Sequence, residues 1–161
     1  MKEKSNPVKH SQVEMTQMVL PNDTNQLGNL LGGQLMHWID LAAAIASSRH
    51  SKRVCVTASV DELNFIHPIR QGEVVILLAS VNRVFRTSME VGVRVLSENL
   101  LTGKVQHANS AYLTFVSIDE SGTPVESPRL KPEKKDEKRR YDDALRRRED
   151  RLRRRSRNTT N

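Results

Sequence analysis

The most apolar part of the chain is residues 33–50, where apolar side chains fall at nearly every helical position. A helix that is apolar on all its faces is normally enclosed by other elements and does not lie on a surface. We therefore expect a long, buried central helix here. Residues 21–33, which are rich in Asn, Asp and Gly, predict a loop that leads into this helix.

Segments with the two-residue alternation of β-strands surround the helix. One candidate strand precedes it and four follow it, with turn residues between them. The candidates are residues 13–20, 54–65, 72–85, 89–98 and 104–119. Consecutive strands with short connections predict an antiparallel sheet. The expected class is α+β, with a curled antiparallel sheet wrapped around a long central α-helix. One such sheet cannot cover the helix on every side, so we also expect a partner subunit.

The two ends of the chain differ from its body. Residues 1–12 are polar and predict disorder, residues 13–132 form the expected domain, and residues 133–161 predict a basic, charged helical tail. Residues 131–161 hold fourteen Lys/Arg and seven Asp/Glu, whereas residues 1–130 hold twelve of each, so the net charge of +7 belongs to the tail. Because its bases are interleaved with acids, a solvated helix is expected and nucleic acid is not an expected partner.

Cysteine content and hydropathy bear on where the protein acts. Cys55 is the single cysteine, so no intramolecular disulfide is possible and a reducing compartment is expected. The N-terminus lacks the apolar segment of a secretory signal, and no apolar run has the length needed to span a bilayer. These features predict a cytoplasmic protein without a membrane partner.

One carboxylate, Asp40, stands inside the apolar helical run. Burying an unpaired carboxylate is costly, so Asp40 caps a neighbouring element, sits at a wet edge or belongs to a functional site. Gly32 and Gly33 stand at the entry to the same helix, where free N–H groups and open glycine backbone suit a carbonyl oxygen that becomes an oxyanion. Gly33 and Asp40 lie roughly 10 Å apart along a helix, which is compatible with a site that takes one group from each of two subunits.

Asn25 lies in the loop before the helix. Its amide can both donate to and accept from a water or a carbonyl group. The commonest role of Asn in a Gly-rich loop is nevertheless a local Asx-type turn. The residue type alone leaves both roles open.

An ordered set of motifs between about residues 13 and 132 resembles the hotdog-fold acyl-CoA thioesterases, in their cytoplasmic acyl-CoA hydrolase branch. The motifs are PNDTNQLG at 21–28, GG at 32–33, MHWID at 36–40, VTASVD at 56–61, FIHPI at 65–69, Gly72, RTSM at 86–89 and AYLTFV at 111–116. The resemblance implies a hotdog fold and hydrolysis of fatty acyl-CoA to free fatty acid and CoA. One departure is Leu31, because many relatives have His before the glycine pair.

The resemblance also implies roles for individual residues. Asp40 matches the catalytic aspartate of the family, whose carboxylate acts as general base or as nucleophile. Asn25 matches the family's asparagine that orients water. In such enzymes these two residues come from opposite subunits. Gly33 falls on the backbone N–H of the oxyanion hole.

Coenzyme A binding and assembly follow from the same resemblance. Arg86, Thr87 and Ser88 match the segment along the pantetheine and nucleotide of CoA, and Gly32 lies beside the substrate. Relatives suggest a homo-oligomer built as a trimer of dimers, and neither a metal nor an organic cofactor is expected. Two alternatives remain open: a hotdog hydroxyacyl-thioester dehydratase, with His37 as its acid–base group, and a non-enzymatic acyl-CoA-binding regulatory module.

Overall fold

A computed structural model describes residues 4–159 of the chain. The strands and α-helices, in chain order, are β1 (Ser5–Pro7), β2 (Val13–Met18), α1 (Gly32–Ser51), β3 (Val54–Val60), β4 (Val74–Val84), β5 (Ser88–Glu98), β6 (Val105–Ile118), β7 (Arg129–Lys131) and α2 (Lys135–Asn158). One-turn 3-10 helices lie at Val8–His10 and Pro21–Asp23.

Five strands form one antiparallel sheet in the order β2-β4-β5-β6-β3. Register shifts interrupt three of its four strand pairings, and such bulges bend strands and increase their twist. Fully buried side chains of β4, β5 and β6, such as Leu77, Val91 and Phe115, join the core that contains Ile39 and Ala43 of α1. The predicted antiparallel sheet around a long central helix is confirmed.

The helix α1 is buried on most of its surface but not on all of it. Trp38, Ile39 and Ala42 are at most 5% exposed, whereas Leu41 and Ile45 are 42% and 41% exposed. Leu41 and Ile45 lie one turn apart and therefore share one face of the helix. The single sheet thus leaves an apolar face of α1 uncovered, as the sequence predicts.

The N-terminal segment contradicts the expected disorder of residues 1–12. Residues 1–3 lie outside the described part of the chain. Beyond them, β1 pairs in parallel with β7, and Val8 is only 2% exposed. The buried hydroxyl of Ser11 donates to the carbonyl of Val8 and accepts from the N–H of Val81. The β1–β7 pairing and the Ser11–Val81 hydrogen bond join segments far apart in sequence, so the local polar composition did not reveal them.

The C-terminal tail is a helix that is mostly exposed to solvent, as its charge pattern predicts, but one face of it docks on the sheet. Glu90 on β5 is completely buried, and its carboxylate contacts Arg147 of α2 at 2.7 Å and Arg151 at 3.2 Å. Its neighbours Met89 and Val91 belong to the core around α1, so Glu90 points to the opposite, outer face of the sheet. The helix α2 therefore docks on that outer face by pairing with a buried charge.

Replacing Glu90 with Gln removes the carboxylate that pairs with Arg147. It also removes one of the two carboxylates that pair with Arg151. We expect the free energy of unfolding, measured by urea denaturation, to fall by about 3 kcal/mol because partly buried charges lose their partner. Glu126→Gln is the control: it removes a carboxylate from an ion pair with Arg86 whose side chains are 72% and 75% exposed. That loss should stay below about 1 kcal/mol. Equal losses in the two variants would contradict the anchoring role of Glu90.

His50 connects the end of α1 to the segment that leads into β7. It is fully buried, and its Nε2 donates to the carbonyl oxygen of Pro128 at 2.7 Å. Its Nδ1 is buried without a partner among residues 4–159, which is consistent with a neutral ring. Burial lowers the pKa of His50, the hydrogen bond to Pro128 opposes this shift, and the nearby charge of His10 adds to it.

This lowered pKa makes stability depend on pH. Below the ordinary value of 6.5, the unfolded chain binds a proton at residue 50 that the folded protein resists. The free energy of unfolding should therefore fall as pH drops through 6.5 and level off below the lowered pKa of His50. His50→Gln should reduce this dependence in urea titrations across that range. The control is His107→Gln, at an exposed histidine. An unchanged pH profile in His50→Gln would overturn the prediction.

Candidate active site

The first turn of α1 presents open backbone. Leu31 precedes it in an extended conformation without a side-chain cap, and its carbonyl accepts from the N–H groups of Gln34 and Leu35. The N–H of Gly33 makes no hydrogen bond within residues 4–159. A Cβ atom added at Gly33 would meet nothing within 4 Å, so a ligand can approach here closely. The neighbouring Gly32 is more enclosed, because the Phe65 ring lies 3.4 Å from its corresponding Cβ position.

Asn25 forms the local Asx-type turn that is the commonest role of Asn in a Gly-rich loop. Its side-chain Oδ1 accepts from the backbone N–H groups of Leu27 at 2.9 Å and Asn29 at 3.2 Å. The backbone N–H of Asn25 also donates to the carbonyl of Asn29 at 2.8 Å. Its Nδ2 group makes no hydrogen bond to the described residues, and the side chain is exposed. The turn thus orients Asn25 while leaving a donor available.

Asp40 lies on α1 opposite the edge strand β3. Its Oδ1 accepts a hydrogen bond of 2.7 Å from the hydroxyl of Thr57. The carboxylate is half-buried in the single chain, which is less enclosure than the apolar sequence around it suggests. No hydrogen bond in the described chain joins Asp40 to Asn25 or to Gly33. Gly33 and Asp40 stand seven residues apart on α1, about two helical turns, so one subunit holds these two groups at separate places.

Thr57 is a residue that the sequence interpretation missed. It pairs with Phe115 on the neighbouring strand, and the alternation along β3 turns its side chain towards α1. The segment VTASVD contains it, but no local signal distinguishes this threonine from any other β-branched strand residue. Only the packing of β3 beside α1 reveals its contact with Asp40.

The predicted CoA segment lies at the turn between β4 and β5, and its residues face two different depressions. Arg86 is exposed, pairs with Glu126 at 3.6 Å, and lines a cavity of about 1320 Å³. Thr87 and Ser88 line a groove of about 690 Å³ beside α2. In that groove the Ser88 hydroxyl accepts from Arg148 at 3.2 Å. Gly32 lies apart from this segment, at the start of α1.

Two further observations concern metals and membranes. Across residues 4–159, no three His, Cys, Asp or Glu side chains come close enough to hold a metal ion. In the same range, neither helix combines the length and hydropathy that a bilayer span requires.

Comparison with known proteins identifies this architecture. Residues 27–104 match the Thioesterase superfamily. The uncharacterized acyl-CoA thioester hydrolase YkhA of Bacillus subtilis is 45% identical over 129 residues, which cover 80% of this chain and 75% of that protein. A hexameric acyl-CoA thioesterase of known structure superposes with a TM-score of 0.91 at 42% identity, covering 94% of this chain and 97% of the other.

A second solved structure is the acyl-CoA hydrolase of Staphylococcus aureus, in complex with butyryl-CoA, CoA and CoA disulfide. It superposes with a TM-score of 0.90 at 35% identity, covering 97% of this chain and 95% of that one. Together these findings show that the chain belongs to the Thioesterase superfamily. The predicted hotdog fold of the acyl-CoA hydrolases is confirmed.

Structures of alanine variants of the S. aureus enzyme mark three of its residues. The variants replace an asparagine, an aspartate and a threonine, which are separated in that enzyme by 15 and then 17 residues. The same intervals separate Asn25, Asp40 and Thr57 in this chain.

Proposed function

We propose that this protein is an acyl-CoA thioesterase that hydrolyses fatty acyl-CoA to free fatty acid and CoA. The observation that carries the proposal is the carboxylate of Asp40, which lies on the central helix of a hotdog domain and accepts a hydrogen bond from Thr57 of β3. Two features support it: the open N–H of Gly33 at the start of that helix, and the shared spacing with the residues replaced in the S. aureus enzyme.

The reaction assigns a separate task to each group. The thioester carbonyl oxygen accepts from the N–H of Gly33, where the helix N-terminus stabilises the negative charge of the tetrahedral intermediate. Asp40 removes a proton from a water molecule as that water attacks the carbonyl carbon. The C–S bond then breaks, and the CoA sulfur leaves and takes up a proton. Thr57 occupies Oδ1 of the carboxylate and so leaves Oδ2 to face the water.

A nucleophilic role for Asp40 is the second route within the same reaction. Its carboxylate would attack the carbonyl carbon directly, expel the CoA sulfur and form an anhydride, which water then hydrolyses. If water attacks the Asp40 carbonyl of this anhydride, the bridging oxygen leaves in the fatty acid and ¹⁸O from labelled water enters the Asp40 side chain in a single turnover, an outcome that general-base catalysis cannot give.

In this proposal Asp40 comes from one subunit, and the oxyanion N–H and the water-orienting amide come from a second subunit. Gly33 and Asp40 of one chain lie about two helical turns apart, roughly 10 Å, so one chain cannot bring both groups to the same substrate atom. The free Nδ2 donor of Asn25, on an exposed loop, is suited to reach across an interface towards Asp40 of another copy. Each active site would then combine groups from two chains.

The surfaces around Asp40 support such an assembly. β3 is an edge strand of the sheet, and its residues Val56 and Val60 are 44% and 40% exposed. The uncovered apolar residues Leu41 and Ile45 lie on α1 nearby. Apolar patches and open strand edges are rarely left in water. We propose a dimer formed along β3 and α1 that assembles further into a trimer of dimers, and a cytoplasmic location remains the prediction from the sequence.

The dehydratase alternative receives no support from the site. His37 is exposed, and within residues 4–159 it makes no hydrogen bond to Asp40. A dehydratase needs an acid–base pair that acts together on its substrate. The regulatory-module alternative is distinguished by whether acyl-CoA is turned over at all.

Removing the proposed base should abolish hydrolysis without unfolding the protein. We expect Asp40→Asn to lower kcat by about 10²- to 10⁴-fold, the range for general-base catalysis, and Thr57→Val to lower it roughly tenfold. Thiol release from saturated acyl-CoAs of increasing chain length measures both effects. Asp142→Asn, at an exposed position of α2, is the matched control. Wild type inactive on every chain length, or an Asp40→Asn variant at full rate, would refute the proposal.

Mixed subunits test whether the site is shared. After subunit exchange in an equal mixture of Asp40→Ala and Asn25→Ala proteins, half of the dimers are mixed and each holds one intact site. Activity should therefore recover to about a quarter of wild type. A mixture of Asp40→Ala with Thr57→Ala is the control, and its activity should not rise above the mean of the two variants measured separately, because Thr57 contacts Asp40 of its own chain. Lack of recovery despite proven exchange would show that the site lies within one chain.

A further inference from the structure

The groove beside α2 joins the predicted CoA segment to the C-terminal helix. One wall carries Thr87 and Ser88 together with residues of β3 and β6, and the other wall is formed by α2. Ala58, which lines the groove, directly follows Thr57, the partner of Asp40. The groove therefore begins at the edge strand β3, next to the residue that donates a hydrogen bond to the proposed catalytic carboxylate of α1.

Two arginines of α2 in this groove are engaged by carboxylates. Arg147 donates to both oxygens of Glu90, and its guanidinium stacks 3.7 Å from the centre of the Tyr112 ring. Arg151 contacts Asp61 at 2.9 Å as well as Glu90. These contacts neutralise both guanidinium groups and hold the helix against the sheet.

Arg148 lies between Arg147 and Arg151 in the sequence of α2, and no carboxylate of the described residues pairs with it. Its Nη1 donates to the Ser88 hydroxyl at 3.2 Å, and its guanidinium lies 4.2 Å from the centre of the Phe85 ring. No carboxylate lies within 4 Å of it in the part of the chain that the structure describes. Burial and the neighbouring charge of Arg151 lower the pKa of Arg148. A half-buried cation beside another cation, with only neutral contacts, is costly without a counterion.

The surrounding charges favour an anion at this position. Arg154 and Arg155 extend the positive wall of the groove. Of the acidic residues that line the groove, Asp61 is engaged by Arg151, and Asp150 lies 3.9 Å from Arg153, outside the groove; Glu62 is exposed. Guanidinium and hydroxyl groups together are well suited to bind phosphate oxygens.

We infer that Arg148 of α2, together with Ser88, binds a phosphate of the nucleotide end of acyl-CoA. This inference rests on the proposed function, because acyl-CoA carries its thioester at one end and its diphosphate and 3′-phosphate at the other. A substrate that places its thioester near Asp40 would extend its pantetheine arm past β3 towards the groove. The C-terminal helix is then a wall of the substrate site and not an appendage.

Substrates that lack the phosphates give the test. We expect Arg148→Gln to raise KM for acyl-CoA roughly tenfold, the loss of one charged hydrogen bond, with kcat changed less than about twofold. The acyl-pantetheine thioester, which lacks the nucleotide, should be hydrolysed by this variant with wild-type kcat/KM. Arg148→Lys should restore part of the affinity because it keeps the charge. Arg153→Gln, which removes the same charge from a position on α2 outside the groove, should leave KM for acyl-CoA near the wild-type value.

Acyl-3′-dephospho-CoA identifies which phosphate is bound. If Arg148 binds the 3′-phosphate, its substitution has little further effect on this substrate; if it binds the diphosphate, the tenfold effect remains. The inference is overturned if Arg148→Gln and Arg153→Gln have equal KM values for acyl-CoA. It is also overturned if Arg148→Gln is impaired equally on acyl-pantetheine, since the residue would then act only by supporting the fold.

Direct binding separates this inference from the proposed activity. Calorimetric titration with CoA should show a roughly tenfold weaker affinity for Arg148→Gln than for Arg153→Gln. If wild type hydrolyses no acyl-CoA yet shows this difference, the hydrolysis proposal fails and the phosphate site stands. If hydrolysis proceeds and the affinities are equal, the phosphate site fails and the hydrolysis proposal stands.

Discussion

The need to enclose α1 shapes this structure. Its side chains Ile39, Ala42 and Ala46 are completely buried, and the strands bend at bulges as they pass around it. A five-stranded sheet still leaves Leu41 and Ile45 uncovered beside the open edge of β3. The hydrophobic cost of that remaining surface favours a second subunit. Asp40 lies next to the uncovered face, so the proposed chemistry and the proposed interface occupy the same place.

The two faces of the sheet serve different purposes. Alternation along β5 sends Met89 and Val91 into the core around α1 and sends Glu90 and Ser88 to the outer face. A fully buried carboxylate there requires cations, and α2 supplies them. Docking of α2 in turn creates the groove in which Arg148 meets Ser88. A contact that stabilises the fold thus also positions a residue that we assign to substrate binding.

Much of the architecture was predictable because its signals are local. The two-residue alternation located all five strands of the main sheet, and the continuous apolar run located α1 to within one residue at each end. Other features depend on partners distant in sequence. The pairing of β1 with β7 and the link from Ser11 to Val81 have no local signature, so a polar N-terminus was mistaken for a disordered one. The charge pattern of α2 likewise concealed its attachment to Glu90.

For the site, the sequence by itself determined the chemical types: a carboxylate within an apolar helix, glycines at that helix's start, and an asparagine in the loop before it. It also located the Arg86–Ser88 segment, through its resemblance to a family. Only the tertiary structure decided which groups meet. It joined Thr57 to Asp40 across 17 residues, divided the predicted CoA segment between two depressions, and brought Arg148 to Ser88 across 60 residues. Local residue patterns report periodicity and composition, whereas contacts between distant residues depend on how the strands and helices pack.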